Sequence, residues 1–368
     1  MGMYKKHYTE NDIEAINAQY NIVLGERAPG KSYAIKARAL EKSYATGQPT
    51  FILIRRMKED IRNDNIQQYF ADNMRHDGCR GDILTISGGE YNYIQVWQRK
   101  IYFANINDDG KIKKGKLAGF VIPLSEDERY KSQEFPTVTD VIYEEFVTNK
   151  LYLRNEPNRL QNLISTIART EEIKVWMIAN TISRVCPYFQ EWGLANIPKM
   201  REGTIDTYKV DNTLIAVEFA PSVGHKSKMF FGNVAKSIQG GAWDTKVVPH
   251  LPDSYNNYEI LYEFLLQHAG FTFNVQLLID TDGQLLLYVY PFTKQTYGDN
   301  IRIITNDFSI NRNITNCLHD SRVEQQISSL YQMGKICYAS NLCGADFTAC
   351  VQNMSPHPFS YKNTKNRP

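Results

Sequence analysis

Four stretches of the chain are almost unbroken in Val, Ile, Leu and aromatic residues: "NIVLG" at 21–25, "TFILIRR" at 50–56, "TVTDVIYEEF" at 137–146 and "IKVWMIAN" at 173–180. Runs this short and this apolar suit strands covered on both faces, as in a parallel sheet flanked by helices. Between them the apolar positions change period. "SYAIKARALEKSYAT" (32–46) and "EPNRLQNLISTIAR" (156–169) repeat every three to four residues, the spacing of a helix with one buried face. This alternation up to about residue 220 predicts an α/β layer whose ligand loops lie at the carboxyl ends of the strands. The interval 86–124 alternates residue by residue instead and contains Asp109-Gly110, which predicts β-hairpins.

The pattern changes after residue 220. Residues 221–252 carry glycines at 224, 232, 240 and 241, and Lys226, Lys228, Lys236 and Lys246 against one acid, Asp244; a linker subdomain is expected there. "FTFNVQLLIDTDGQLLLYVYPF" (271–292) reads as two strands about an Asp-Gly turn, and "DSRVEQQISSLYQM" (320–333) as a helix. A second α/β unit is therefore expected over 253–356, with 357–368 as a loose tail. The first domain would span 1–220. A length of 368 residues allows two domains, since one core seldom grows past roughly 250–300 residues.

Composition adds little. Lys plus Arg number 42 against 40 for Asp plus Glu, so the total charge points to no partner, although a local basic patch would fit within it. No apolar run approaches the roughly 18–20 residues needed to cross a bilayer. The N-terminal "MGMYKKHYTENDIEAI" has no apolar core of the secretory kind, and Lys6 stands where myristoylation wants Ser or Thr. The six cysteines form no CxxC pair, which predicts reduced structural thiols in an intracellular protein rather than a metal site.

Candidate chemistry begins with "GERAPGKS", Gly25 to Ser32, which satisfies G-x-x-x-x-G-K-[ST] at every position. Gly25 and Gly30 permit torsions closed to other residues and let amides approach phosphate oxygens. Lys31 would reach the β- and γ-phosphates of ATP, and the Ser32 hydroxyl would bind Mg²⁺. An apolar run before this loop and a helical pattern behind it strengthen the reading. "VIYEEF" (141–146) then offers Glu144 and Glu145 where a buried strand would end. In ATPases with an additional strand between the two motifs (the ASCE type), the first acid supports the metal and the second polarises the attacking water. Glu144 stands where Asp is usual, so its longer arm is expected to reach the metal through water. The chain has no Asn-Lys-x-Asp run, which argues against a guanine nucleotide. Arg169, at a helix end, and Asn180, at a strand end, each admit two readings. Arg169 could act on a neighbour's γ-phosphate or merely favour a helix C-terminus. Asn180 could sense the γ-phosphate or merely cap the next segment of chain.

Several stretches in order, "GERAPGKSYA", "ILIRRMK" (52–58), "GKLAGFVIPLS" (115–125), "YKSQEFPTVTDVIYEEF" (130–146), "STIAR" (165–169) and "IAN" before "VCPYF" (178–189), resemble the genome-packaging ATPases of small protein-primed tailed bacteriophages, compact relatives of large terminases. The likeness covers most of the first 190 residues, with a weaker echo in "GFTFNVQLLID". It implies an ASCE-type P-loop ATPase domain with a mainly parallel sheet, a small linker and a C-terminal RNase-H-like α/β domain that has lost catalysis. It implies a homo-oligomeric ring, a pentamer, that docks on the capsid portal in the host cytoplasm. There it would drive double-stranded DNA into a prohead with ATP and Mg²⁺, some relatives also using a scaffold RNA; no membrane is involved. By match, Gly25, Arg27, Gly30, Lys31, Ser32 and Asn180 would hold nucleotide, with Ser32 and Glu144 at the metal. Glu145 would activate water, Arg169 and Lys131 would act in trans, and Lys58, Arg55 and Arg56 are the candidates for DNA contact. The hairpin interval at 86–114 is longer than the family's; its Lys111, Lys113 and Lys114 could touch phosphate or keep a surface hairpin soluble. In the second domain Asp280 stands where one metal ligand of a nuclease would be, and Asp282 could serve only the turn. The alternatives are another P-loop translocase or helicase, or a metal-dependent nuclease regulated by ATP.

Overall fold

The short, evenly apolar runs become the centre of a nine-stranded sheet in the computed structural model, which describes residues 8–26, 30–148, 152–169, 172–181, 183–221, 247–268, 271–292, 302–305, 314–316, 329–330 and 333–354. In chain order this first unit contains α1 (Asn11–Ala15), β1 (Tyr20–Leu24), α2 (Lys31–Thr46), β2 (Phe51–Arg55), α3 (Asn63–Tyr69) and α4 (Ile83–Ile86). β3 (Tyr93–Trp97), β4 (Lys100–Ile106), β5 (Ile112–Pro123), β6 (Asp140–Glu144), α5 (Glu156–Ala168) and β7 (Lys174–Ile178) come next. After α6 (Pro187–Glu191), which belongs to the second unit, β8 (Thr204–Val210) and β9 (Thr213–Phe219) complete the sheet.

The strand order is β3-β4-β5-β2-β6-β7-β1-β9-β8. The six strands from β5 to β9 run parallel; β4 on one side and β8 on the other run against them, and β3 pairs antiparallel with β4. Every residue of β6 is buried, and Ile22, Val23 and Leu24 of β1 have no exposed surface. Burying one such aliphatic side chain stabilises by roughly 1.5–3 kcal/mol, which is why the interior strands carry no polar alternation. The expected helices appear as α2 and α5. In α5, Leu160, Leu163, Ile164 and Ile167 form the buried stripe at helical spacing, with Pro157 in the first turn, where its missing N–H costs nothing. α2 is tied to the start of β6 by Asp140, whose carboxylate accepts from Arg38 at 2.6 Å and from Lys42 at 2.7 Å.

One strand, β7, stands between β1 and β6. This is the additional-strand order, with the glycine loop and the acidic strand end at the same edge of the sheet.

The second unit is built on β10 (Glu259–His268), β11 (Phe271–Ile279) and β12 (Leu285–Pro291), an antiparallel meander. β13 (Arg302–Thr305) then runs parallel to β10, β14 (Ile314–Asn316) parallel to β13, and β15 (Ile336–Tyr338) parallel to β12. Numbering the first five strands of this sheet in order gives 3-2-1-4-5 with strand 2 reversed, the RNase-H-like arrangement. α7 (Asn341–Met354) packs Phe347 edge-on to Phe273, with ring centroids 5.5 Å apart. Cys337, Cys343 and Cys350 are buried in this unit.

The grouping of residues departs from the expected single boundary near 220. Residues 183–191 belong with the second unit, whereas 192–221 belong with the first. The reason is packing: Val185 is buried in the second unit's apolar core, and Arg184 pairs with Asp346 of α7. Most of the expected linker, 222–246, lies outside the described residues, as do the tail at 357–368 and most of the helix expected at 320–333. Residues 247–252 join the second unit, where His250 Nδ1 lies 2.8 Å from the Tyr338 carbonyl.

Candidate nucleotide site

The loop after β1 turns at Gly25, whose φ of +146° suits glycine; an added Cβ would lie 3.3 Å from both the Cβ and the carbonyl oxygen of Ala220. Gly30, at φ +97°, is the N-cap of α2 and offers no side chain to the first-turn amides. Those amides and the positive end of a 16-residue helix face whatever the loop encloses. Arg27 lies outside the described residues.

Lys31 opens α2 and is only 4% exposed. Its ammonium donates to the carbonyl of Gly25 at 3.3 Å, to the carbonyl of Glu26, and to Asn180 Oδ1 at 3.4 Å. All three acceptors are neutral. Burial, only partly offset by attraction to Glu144 and Glu26, pushes the ammonium down to about 8. Ser32 Oγ donates to Glu144 Oε1, and Tyr69 donates its hydroxyl to Glu144 Oε2 at 3.0 Å. Burial raises the Glu144 carboxyl above its ordinary range, against the lowering contacts of Ser32, Arg55, Tyr69 and Lys36. The longer glutamate arm thus brings its carboxylate directly against the Ser32 hydroxyl. An ammonium ringed by neutral oxygens, a hydroxyl and a carboxylate form a donor set that fits a polyphosphate with a divalent cation.

The neighbouring acid behaves differently. Glu145 adopts φ +57°, its amide donates to the Ile178 carbonyl at 2.8 Å, and its side chain is exposed. Arg55, from the end of β2, holds its Oε2 at 2.6 Å. Arg56 points inward and is 8% exposed. Its Nε donates to Glu156 Oε2 at 2.9 Å, Nη2 to the Phe146 carbonyl at 2.6 Å and Nη1 to the Glu145 carbonyl at 3.2 Å. Arg56 is therefore no surface contact for DNA, as sequence had suggested, but an internal strut for the loop that carries Glu145. Lys58 is exposed, 3.2 Å from Glu126.

Lys131 and Arg169 are also exposed, paired with Glu128 at 2.5 Å and with Glu134 at 2.6 Å. The register of β1 against β7, Tyr20 to Val175 and Val23 to Ile178, puts the start of β7 at the edge of the sheet away from the glycine loop. Arg169 precedes that start and Asn180 lies just past its end. Five residues at about 3.3 Å each separate the two edges. Within one subunit Asn180 meets Lys31, and Arg169 lies at the opposite edge of the sheet. The hairpin lysines Lys111, Lys113 and Lys114 are all exposed. Lys114 stands 4.7 Å over the Trp97 ring and 5.3 Å over that of Tyr102.

Sequence reasoning missed Tyr69, which lies on a short helix with no motif of its own. It also missed Glu26 and the buried pair Tyr8 and Glu218, joined at 2.6 Å beside β1. In the second unit Asp280 Oδ1 accepts the amides of Asp282 at 2.9 Å and Gln284 at 2.7 Å, so Asp280, rather than Asp282, supports the turn.

Residues 3–345 match the model of the podovirus DNA encapsidation protein (Gp16) family. Among curated proteins, the chain is 27% identical over 306 residues to the DNA packaging protein of Bacillus phage PZA, covering 78% of this chain and 82% of that one. The DNA packaging protein of Bacillus phage phi29 is 26% identical over the same shares of the two chains. Of solved structures, a chain of the bacteriophage phi-29 genome packaging motor assembly superposes with a TM-score of 0.53 at 21% identity, covering 95% of this chain and all of that one. The phi-28 gp11 DNA packaging motor gives 0.50 at 17% identity, covering 95% and 98%.

Proposed function

The chain belongs to the podovirus DNA encapsidation protein family, and from that premise we propose that it is the ATP-hydrolysing subunit of a ring that drives double-stranded DNA into a preformed capsid. The observation that carries this reading is the meeting of Lys31, Ser32, Glu144 and Asn180 at one edge of an additional-strand sheet. Lys31 and the α2 amides hold the triphosphate, Ser32 and Glu144 hold Mg²⁺, and Asn180 lies where a γ-phosphate would be sensed. Glu145 is the base that readies water. Its bond to Arg55 keeps it turned aside, and Lys58, three residues further along, is the contact through which DNA would release it.

Arg169 acts on the site of an adjacent subunit, with Lys131, two residues before the Gln133 whose carbonyl Arg169 meets at 3.4 Å, as a second candidate; the opposite-edge placement supports this, because it keeps Arg169 away from its own Lys31. Partners are the DNA duplex, the capsid portal and further copies of the chain, with a scaffold RNA as a further candidate, met at the prohead in the host cytoplasm. The second unit binds rather than cuts. Its support is the use of Asp280 within its own turn.

The deciding experiment is ATP turnover by the assembled protein with linear duplex or single-stranded DNA. Stimulation by duplex, lost in Lys31→Ala, is expected; preference for single strands would favour a helicase-like translocase. Cleavage of supercoiled DNA with Mn²⁺, abolished by Asp280→Ala, would overturn the assignment of the second unit.

A further inference from the structure

We propose that Tyr69 is a positioning residue for the metal-side carboxylate: its hydroxyl holds Glu144 Oε2, leaving Oε1 aimed at Ser32 and the cation's place beside it. The inference rests on the nucleotide reading above and goes beyond it, because Tyr69 belongs to no motif of that reading.

Three contacts close a ring around this carboxylate. Ser32 and Lys36 are four residues apart on α2 and so share a face. Ser32 donates to Glu144 Oε1, while Lys36 donates to the carbonyl of Tyr69 and stands 4.2 Å over its ring. Tyr69 then donates to Glu144 Oε2 at 3.0 Å. Lys36 itself is 2% exposed, so the clamp is internal.

The need for such a strut comes from residue type. A glutamate has one more rotatable bond than the aspartate usual at this position, and freezing it costs entropy. A donor on one oxygen fixes that rotation beforehand and leaves the other oxygen facing Ser32. Outer partners of this kind typically change metal affinity by about 10–100-fold when removed.

The test uses Mn²⁺ as the probe, titrated by EPR into the full-length protein with ADP. Tyr69→Phe keeps the ring under Lys36 and deletes only the donor. It should weaken Mn²⁺ binding about ten-fold, with ADP affinity in EDTA and the melting temperature nearly unchanged. Glu144→Asp shortens the arm beyond reach of Tyr69, so Tyr69→Phe added to it should cost less than about two-fold. Parent-like Mn²⁺ affinity in Tyr69→Phe, or an equal loss in the Glu144→Asp background, overturns the inference while leaving the nucleotide site standing. A parent protein that binds no ADP at all removes the nucleotide reading, and this inference with it.

Discussion

Glu144 and Glu145 are adjacent, identical and differently employed. A strand sends successive side chains to opposite sides, and the left-handed torsion at Glu145 ends the strand there. One carboxylate is buried against Ser32 and Tyr69, and the other is exposed and held by Arg55. Removing charge from the second should therefore spare binding. Glu145→Gln is expected to retain ADP affinity and lose at least about 10²-fold in turnover, measured by phosphate release and fluorescent-nucleotide titration; unchanged turnover would place the base elsewhere. A second acid shows what burial among like charges does. Glu218, 5% exposed next to β1, is pushed up to about 7 by burial and, against the lowering bond from Tyr8, by Asp12 and Glu10. Between its unfolded value and about 7 the folded chain keeps a proton that the unfolded chain has lost. This contribution to stability is complete below the unfolded value and fades as pH rises through about 7. Relative to Glu218→Gln, the parent should lose melting temperature between pH 5 and pH 8; parallel curves would refute the assignment.

At the scale of elements, Arg56 joins the end of β2 to the loop after β6 and to the first turn of α5. Its guanidinium meets Glu156, and Glu156 accepts the Tyr143 hydroxyl at 2.7 Å with its other oxygen. A planar fork presents its donors to a carboxylate and two carbonyls in fixed directions, where an ammonium offers three donors on a flexible stem. Removing one partner of a buried pair leaves the other uncompensated, at a cost of about 3–5 kcal/mol. Arg56→Ala should therefore lower the melting temperature by at least about 6 °C at roughly 2 °C per kcal/mol, and the fall should be smaller in a Glu156→Gln background. A fall of equal size in both backgrounds would mean that the pair is not the source.

For the whole molecule, the register of β1 and β7 sets Arg169 at the edge of the sheet away from its own Lys31, which supports the proposed shared site. Arg169→Ala subunits keep a sound loop, and Lys31→Ala subunits keep a sound arginine. Neither alone should hydrolyse ATP, whereas mixtures should recover turnover in proportion to the junctions where a good loop meets a good arginine. Activity that never rises on mixing would argue for a role within one subunit. The proposed shared site would tie the firing of each subunit to its neighbour. That coupling suits a motor which must grip a featureless phosphate backbone and release it in turn.

The sequence by itself determined the central strands of the first sheet, the β11–β12 pair, the glycine loop and the residue types of the site. Continuous apolar runs, helical spacing and a fixed run of glycines and lysine are local properties that neighbouring residues impose on one another. It also carried the Asp-Gly turns and the hairpin interval. β8 and β10 were not legible, because their partly exposed residues alternate too weakly; β9, mostly buried, was not picked out either. Only the tertiary structure decided which residues meet: Tyr69 with Glu144, Arg56 turned inward with Arg55 on the adjacent acid, Asp280 spent on its own turn, and residues 183–191 carried into the second unit. Apart from the Asp280 turn, such contacts join positions tens to more than a hundred residues apart. They are fixed by strand order and register, which many compatible local patterns share and only the packed core selects.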